Sequence, residues 1–169
     1  MIRLLVLDVD GTRTKVISNK MVDLKNLVSY NPREYGITER VHGVVLHEIL
    51  EQYPDVEFDL FFSPYSILYW DKIGRMGETD AVFAALSLAC KTLLPYENIT
   101  LHGLLFDRDI IEHLDYYCDY VHHSAEAGSL ALEKIRSGTD RLTEKNYQEI
   151  LANWRDFVVN YDYDKFWDE

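Results

Sequence analysis

Hydrophobic residues along the chain follow two different periods, and the two alternate. Short and nearly continuous apolar runs predict buried strands, whereas longer stretches with apolar residues three and four positions apart predict helices. The predicted strands are 4–7, 56–62, 99–106 and 120–122, and the predicted helices are 38–53, 79–94, 107–118, 125–136 and 143–160. Pro54 and Pro95 end two of the helical patterns, and Thr143 with Asn146 predicts a cap for the last helix.

This alternation of strands and helices predicts an α/β fold with a mainly parallel sheet. Short connections and right-handed crossovers favour a doubly wound, Rossmann-like sheet with helices on both faces. Residues 13–38 lack a sustained period and contain Asn31-Pro32, which predicts an irregular insert or a short hairpin. We therefore expect one domain over 1–160 without a large cap domain, and an aromatic, acidic tail over 161–169 that docks or frays.

The charge of the chain narrows its possible partners. Among its 169 residues, 29 are acidic and 17 are basic, which gives a formal net charge of −12. Such a field repels nucleic-acid phosphates and attracts cations such as magnesium, so we expect no nucleic-acid partner.

No apolar stretch has the length of a membrane span, and the N-terminal run is too short for a signal peptide. Cys90 and Cys118 predict free thiols in a reducing compartment, and hence a cytoplasmic protein.

Polar side chains follow three of the predicted strands. Asp8 and Asp10 come after the first strand, Ser63 after the second, and Asp107 and Asp109 after the third. In a parallel sheet, ligands bind beyond the carboxyl ends of the strands. Two aspartates spaced i, i+2 can hold one hard cation between them, and one of them can also attack an electrophile. The pattern therefore predicts a metal-assisted site at this edge of the sheet.

Each of these residues also has a purely structural interpretation. The first two aspartates can belong to an ordinary Asp-Gly turn, and Ser63 can simply close its strand. Asp107 fits a helix N-cap, and Asp109 fits a first-turn acid that faces the helix dipole. Lys72, between the second strand and the next helix, fits a solvated surface lysine.

Two further groups of residues leave alternatives open. The aromatic residues Tyr65, Tyr69 and Trp70 fit the mouth of a pocket, a subunit contact or the core equally well. His122 and His123 suggest a metal site, but adjacent residues on a strand point to opposite faces. For this histidine pair we therefore expect a structural role.

The chain resembles the haloacid dehalogenase-like superfamily, which consists mainly of magnesium-dependent phosphohydrolases. The first motif of that family is an apolar strand followed by D-x-D-G-T, and residues 4–12 match it. The second motif, an apolar strand that ends in Ser or Thr, is similar to residues 60–63. Lys72 stands where the order of the family's elements places its lysine. The resemblance implies the doubly wound, HAD-like form of the α/β fold.

The fourth motif of the family is acidic, and residues 103–110 align with it. A common form is G-D, four further residues and D-I. In this chain Asp109 and Ile110 keep their places, but Leu104 stands where the first acid is usual. Asp107 is a candidate to replace that acid.

The resemblance implies a division of chemical roles. Asp8 would attack phosphorus and form an aspartyl-phosphate, and Asp10 would act as general acid and base. A magnesium ion would offset the repulsion between carboxylate and phosphate. The implied metal ligands are Asp8, Asp10, Asp107 and Asp109, and the implied substrate-binding residues are Thr12, Ser63 and Lys72.

Two functions of different classes follow from these observations. The first is a phosphohydrolase that acts on a phosphomonoester, either a small phosphorylated metabolite or a phosphoprotein. Because it lacks a large cap domain, such an enzyme would gain enclosure by forming a homo-oligomer. Leu104 motivates the alternative, a catalytically impaired binding or regulatory module. That module would contact a protein partner through the region near Trp70 or through the acidic tail.

Overall fold

The computed structural model describes the backbone of residues 2–7 and 15–17, and the backbone and side chains of residues 53–166. The predicted helix at 38–53 and most of the insert at 13–38 lie outside the described residues. Within the described residues, the chain is a mixed α/β structure with one sheet.

The sheet has three parallel central strands between two short antiparallel edge strands. Its order is β2-β1-β3-β4-β5, and β1 pairs with β3 and β3 with β4 in parallel. The antiparallel pairing of β2 with β1 fits the short hairpin predicted after the first strand. The strands are β1 (Ile2–Leu7), β2 (Lys15–Ile17), β3 (Glu57–Phe62), β4 (Ile99–His102) and β5 (Arg141–Leu142).

Five α-helices and three short 3₁₀ turns connect and cover the described strands. The helices are α1 (Ile67–Arg75), α2 (Thr79–Leu93), α3 (Arg108–Ile111), α4 (Ala125–Ser137) and α5 (Tyr147–Val159). The 3₁₀ turns are Leu104–Phe106, Leu114–Tyr116 and Asp164–Phe166. None of the helices in this part of the chain combines the length and hydrophobicity that a membrane span needs.

Helices pack on both faces of β3. Phe58, Leu60 and Phe62 point to one face, where they join the large core formed with α1, α2 and α5. Phe61 points to the other face and packs against α4 in a second, smaller core. Burial on both faces is the usual state of a central parallel strand, and it explains the apolar run Leu60-Phe61-Phe62 at the carboxyl end of β3.

The aromatic residues after β3 belong to the core. Tyr65, Tyr69 and Trp70 are all buried, and the ring of Trp70 packs against Phe83 and Trp154. The core interpretation is therefore confirmed, and the pocket-mouth and subunit-contact interpretations are wrong.

The part of the tail that the structure describes docks instead of fraying. Tyr161, Tyr163 and Phe166 pack against the large core. The hydroxyl of Tyr163 also donates a hydrogen bond to the Val158 carbonyl of α5 at 2.9 Å.

Two predicted elements between 107 and 122 are wrong. No strand forms at 120–122, and an isolated bridge joins the flanking residues Tyr117 and His123. The Asp119 carboxylate accepts the amide hydrogens of Val121 and His122, so a strand ladder cannot use them. The single helix predicted over 107–118 is also absent, because α3 ends after one turn and a separate 3₁₀ turn follows.

Other elements differ from the predictions in extent. The predicted strand 99–106 ends at His102, because the 3₁₀ turn Leu104–Phe106 follows directly after Gly103. Helix α5 begins at Tyr147, after the predicted Thr143 and Asn146 cap, in which each side chain accepts the other residue's amide hydrogen.

The sequence patterns missed α1 and β5. Helix α1 has a detectable signal, since its buried residues Ile67, Trp70 and Ile73 are three positions apart. Strand β5 has only two residues and carries no periodic signal.

Candidate functional site

The carboxyl ends of the three parallel strands meet at one edge of the sheet. The register pairs Leu7 with Phe62 and Phe61 with His102, so β1, β3 and β4 end at nearly the same level. Asp8, Asp10 and Thr12 follow β1 in the sequence and lie outside the described residues. Of the predicted site residues, the structure therefore places Ser63, Lys72, Asp107 and Asp109.

Ser63 closes β3 and has a hydroxyl that remains available. Its carbonyl accepts a hydrogen bond from the Tyr65 amide at 2.9 Å, which turns the chain away from the sheet. The residue is 8% exposed, and its hydroxyl has no hydrogen bond to another described residue. The structural role of Ser63 is thus confirmed, and its predicted phosphate-binding role stays a prediction.

Asp107 caps α3 and also carries a buried charge. One carboxylate oxygen, Oδ1, accepts the Asp109 amide hydrogen at 2.9 Å, which confirms the predicted N-cap. The other oxygen, Oδ2, forms an ion pair with the ammonium group of Lys134 from α4. Because Asp107 is only 6% exposed, this pairing compensates for the loss of water around the carboxylate.

Asp109 lies on the solvent side of the same lysine. Its carboxylate is 3.2 Å from the Lys134 ammonium nitrogen, and its side chain is exposed. Burial lowers the pKa of Lys134, but the hydrogen bond to Asp107 and the charge of Asp107 outweigh this and raise it above the ordinary value. Lys134 is therefore a stable cation between the two predicted metal ligands.

Asp140 adds a third carboxyl group to this site. It lies in the turn between α4 and β5, and its carbonyl accepts the Gly103 amide hydrogen at 2.8 Å. Burial, and next the negative charge of Asp107, raise the pKa of Asp140 to about 6. We refer to Asp107, Asp109, Asp140 and Lys134 as the acid cluster. Three carboxyl groups share one cation there, so the cluster holds excess negative charge above pH 6.

The sequence patterns missed both Lys134 and Asp140. Asp140 precedes the two-residue strand β5, which has no periodic signal of its own. Lys134 reads as an ordinary solvent-facing residue near the end of an amphipathic helix. Only the packing of α4 against β3 brings it to the edge of the sheet.

Lys72 makes a different contact from the one predicted. Its ammonium group donates a hydrogen bond to the Tyr120 hydroxyl at 2.7 Å and lies 4.1 Å from the centre of the Tyr120 ring. The side chain is exposed on α1. Lys72 therefore connects α1 to the segment before α4, and Lys134 is the lysine that contacts Asp107 and Asp109.

Leu104 is a core residue in the structure. It is fully buried in the smaller core, together with Phe61, Ile110 and Ala127. A carboxylate at this position would be surrounded by apolar side chains, which is unfavourable for a charged group. Packing therefore explains why an apolar residue stands at position 104.

The described residues contain hard oxygen donors but no complete metal site. Among them, no three His, Cys, Asp or Glu side chains are arranged to hold a metal ion. The carboxylates of Asp107 and Asp109 have the chemistry that Mg²⁺ prefers. In the structure, however, the ammonium group of Lys134 pairs with both of them.

The histidine pair has the structural role that we expected from the sequence. His122 Nδ1 is 2.6 Å from the Asp119 carboxylate, and His123 Nδ1 is 3.2 Å from the Ser124 carbonyl oxygen. Both contacts are local and stabilise the loop that carries the two histidines.

Comparisons with known proteins give one partial similarity. No protein-family model matches the chain, and no solved structure matches it. A segment of 48 residues is 54% identical to part of the DNA-directed RNA polymerase subunit beta of Acetivibrio thermocellus. That segment covers 28% of this chain and 4% of the polymerase subunit. The chain thus spans a small fraction of this relative, and the similarity does not assign it to a family.

Proposed function

We propose that this chain is a magnesium-dependent phosphohydrolase that acts on a phosphomonoester through an aspartyl-phosphate intermediate. The observation that carries the proposal is the register of β1 against β3, which brings Leu7 level with Phe62. In the sequence, the Asp8-Val9-Asp10-Gly11-Thr12 motif directly follows β1, and Ser63 directly follows β3. Ligands of parallel α/β sheets bind at this edge.

The finer fold assignment, a doubly wound HAD-like sheet, belongs to the same proposal. The parallel pairing of β1, β3 and β4 supports it, because a doubly wound fold is built on a mostly parallel sheet. The helices on both faces of β3 support it as well. The antiparallel edge strands β2 and β5 are additions to the parallel core.

In this proposal the residues at the edge divide the reaction among them. Asp8 attacks phosphorus, and Asp10 gives a proton to the leaving oxygen and then takes one from water. Thr12 and the free hydroxyl of Ser63 donate hydrogen bonds to phosphoryl oxygens. Lys72 provides positive charge once it leaves Tyr120, its partner in the structure.

The acid cluster supplies the far side of the proposed metal site. Asp8, Asp10 and either Asp107 or Asp109 would hold Mg²⁺, which would supply positive charge against the carboxylate and the phosphoryl group. The excess negative charge of the cluster supports this role, because its three carboxyl groups surround the single ammonium group of Lys134. Lys134 would then hold whichever of the two acids does not bind the ion.

The proposed substrate is a small phosphorylated metabolite or a phosphoprotein. The net charge of −12 disfavours a polynucleotide. We also propose that the protein is cytoplasmic and that a second copy of the chain supplies the enclosure that a large cap domain would give.

Phosphate release from an aryl phosphate in the presence of millimolar Mg²⁺ tests the proposal. We expect turnover that needs Mg²⁺ and that falls by at least about 100-fold in Asp8→Asn, since this variant removes the nucleophile. Asp55→Asn is the matched control, because Asp55 is exposed before the amino end of β3 and should leave turnover unchanged. Absence of turnover across a panel of phosphate esters, with no Mg²⁺-dependent thermal shift, would overturn the proposal.

Two observations favour a second candidate, a binding or regulatory module that has lost the chemistry. Leu104 is buried in the core, and Lys134 already forms ion pairs with Asp107 and Asp109. The matched polymerase is by name a subunit of a larger enzyme, which is compatible with a role in contacting protein. Mg²⁺-independent capture of a protein partner by both the wild-type chain and Asp8→Asn would support this candidate.

A further inference from the structure

Residues 117–123 form a small hairpin with extensive internal hydrogen bonding. The bridge between Tyr117 and His123 closes it, and the Cys118 amide donates to the His122 carbonyl at 3.0 Å. The Asp119 carboxylate accepts the amide hydrogens of Val121 and His122 at 2.8 and 2.7 Å. These two bonds are the main reason that the pKa of Asp119 falls to about 2. The hairpin therefore keeps its own shape and can move as one unit.

The hairpin covers the segment that directly follows Ser63. The Ser66 amide and the Ser66 hydroxyl each donate a hydrogen bond of 3.1 Å to the Tyr120 carbonyl. The Tyr117 hydroxyl donates to the Pro64 carbonyl at 2.7 Å. As a result Ser66 is only 1% exposed, although it lies in a loop at the edge of the sheet.

Apart from Val121, which packs against the large core, the contacts that hold the hairpin in place are polar. None of its seven residues is fully buried, and five of them are exposed. At its tip, the contact between Lys72 and Tyr120 lies in solvent. Hydrogen bonds contribute about 1 kcal/mol each, so such a segment opens far more often than the whole protein unfolds.

We propose that the hairpin 117–123 is a lid over residues 64–66, and that the contact between Lys72 and Tyr120 holds it closed. When the lid opens, the Pro64 carbonyl and both hydrogen-bond donors of Ser66 become accessible beside Ser63. The chain enters the lid from the 3₁₀ turn Leu114–Tyr116 and leaves it at Ser124, the N-cap of α4. The lid controls access to the carboxyl end of β3, whatever reaction or binding event takes place there.

Hydrogen exchange of single amides, followed by NMR on the full chain, tests the lid. The Ser66 amide reports opening of the lid, because its acceptor is the Tyr120 carbonyl. The Leu86 amide, in the middle of α2, reports global unfolding. We expect Ser66 to exchange much faster than Leu86 in the wild-type chain. We also expect Lys72→Met to raise the Ser66 rate about fivefold without changing the Leu86 rate.

Two further variants complete the test. Lys91→Met is the matched control, because Lys91 is an exposed lysine without a contact in the described structure, and it should change neither rate. Tyr120→Phe keeps the ring and the backbone carbonyl but removes the hydroxyl that accepts from Lys72, and it should also raise the Ser66 rate. Equal rates for Ser66 and Leu86, or no response of Ser66 to either change, would show that the hairpin is a fixed part of the fold.

Discussion

At the scale of single residues, the acid cluster shows how burial changes the behaviour of ordinary carboxyl groups. Asp109 is exposed and needs no partner, whereas Asp107 is nearly buried and depends on Lys134. Asp140 lies between these extremes and has a raised pKa because burial and Asp107 both disfavour its charged form. The cluster is therefore the place where single substitutions should have the largest electrostatic effects.

Replacing Asp140 by Asn should change how stability depends on pH. Since the pKa of Asp140 is about 6 in the folded state and 3.8 for an ordinary aspartate, the protonated form of Asp140 favours the folded state. That contribution is complete below about pH 4 and is lost as the pH rises through 6. Asp140→Asn has no group that titrates at this position, so its stability should not fall in this way. Between pH 4 and pH 7.5, its free energy of unfolding should therefore rise by about 1 kcal/mol relative to wild type, after solvent screening.

Urea unfolding at pH 4 and pH 7.5 measures this difference. Asp55→Asn serves as the control, because the exposed Asp55 should give the same difference from wild type at both pH values. An equal effect of Asp140→Asn at the two pH values would contradict the prediction.

Replacing Lys134 by Met should destabilise the protein, because the buried carboxylate of Asp107 loses its partner. Breaking a buried ion pair from one side costs about 3–5 kcal/mol. Since Lys134 is partly exposed, we expect a loss of about 2 kcal/mol in the free energy of unfolding at pH 7.5. Lys134→Arg keeps the charge and should retain most of the stability that Lys134→Met loses. An effect of Lys134→Met as small as that of Lys91→Met would contradict this expectation.

At the scale of elements, the ends of the helices follow from local chemistry. Helix α4 begins at Ser124, whose hydroxyl accepts the Ala127 amide hydrogen, and it ends at Gly138 with φ of 68°. A left-handed residue directly after a helix is the position that favours glycine most strongly. Both signals are present in the sequence, and α4 matches its predicted range of 125–136 to within one residue.

Two glycines with equal space around them should respond in opposite ways to alanine. Neither Gly138 nor Gly74 has a neighbouring atom that an added Cβ would meet. Gly138→Ala should lower the free energy of unfolding by about 1 kcal/mol, because alanine is strained at a positive φ. Gly74→Ala should raise the free energy of unfolding by about 0.5 kcal/mol, because Gly74 lies within α1 at an ordinary helical conformation. Thermal unfolding of both variants measures the two signs, and a shift in the same direction would contradict the explanation.

Where local chemistry competed with tertiary contacts, the sequence patterns failed. Between 107 and 122, apolar spacing predicted a long helix and a strand. In the structure, the side chain of Asp119 takes the amide hydrogens and Tyr117 reaches the Pro64 carbonyl. A periodic pattern contains no information about these bonds. The two Asp119 bonds form within one local turn, and the Tyr117 bond depends on which distant segment lies beside it.

At the scale of the whole molecule, the sheet determines which residues can act together. The parallel pairing of β1, β3 and β4 brings the ends of three distant segments to one edge. The packing of α4 on the face of β3 that carries Phe61 then brings Lys134 to the same edge. The hairpin 117–123 crosses over the segment after β3 at that edge.

The sequence by itself determined the α/β class, the positions of β1, β3, α2 and α4, and the placement of polar residues after the strands. It could do so because apolar periodicity, caps and turn residues are local properties of a chain. The tertiary structure decided which lysine neutralises Asp107, that Asp140 joins the cluster, and that Leu104 lies in the core. Those outcomes depend on burial and on contacts between segments far apart in the chain, which no local pattern encodes.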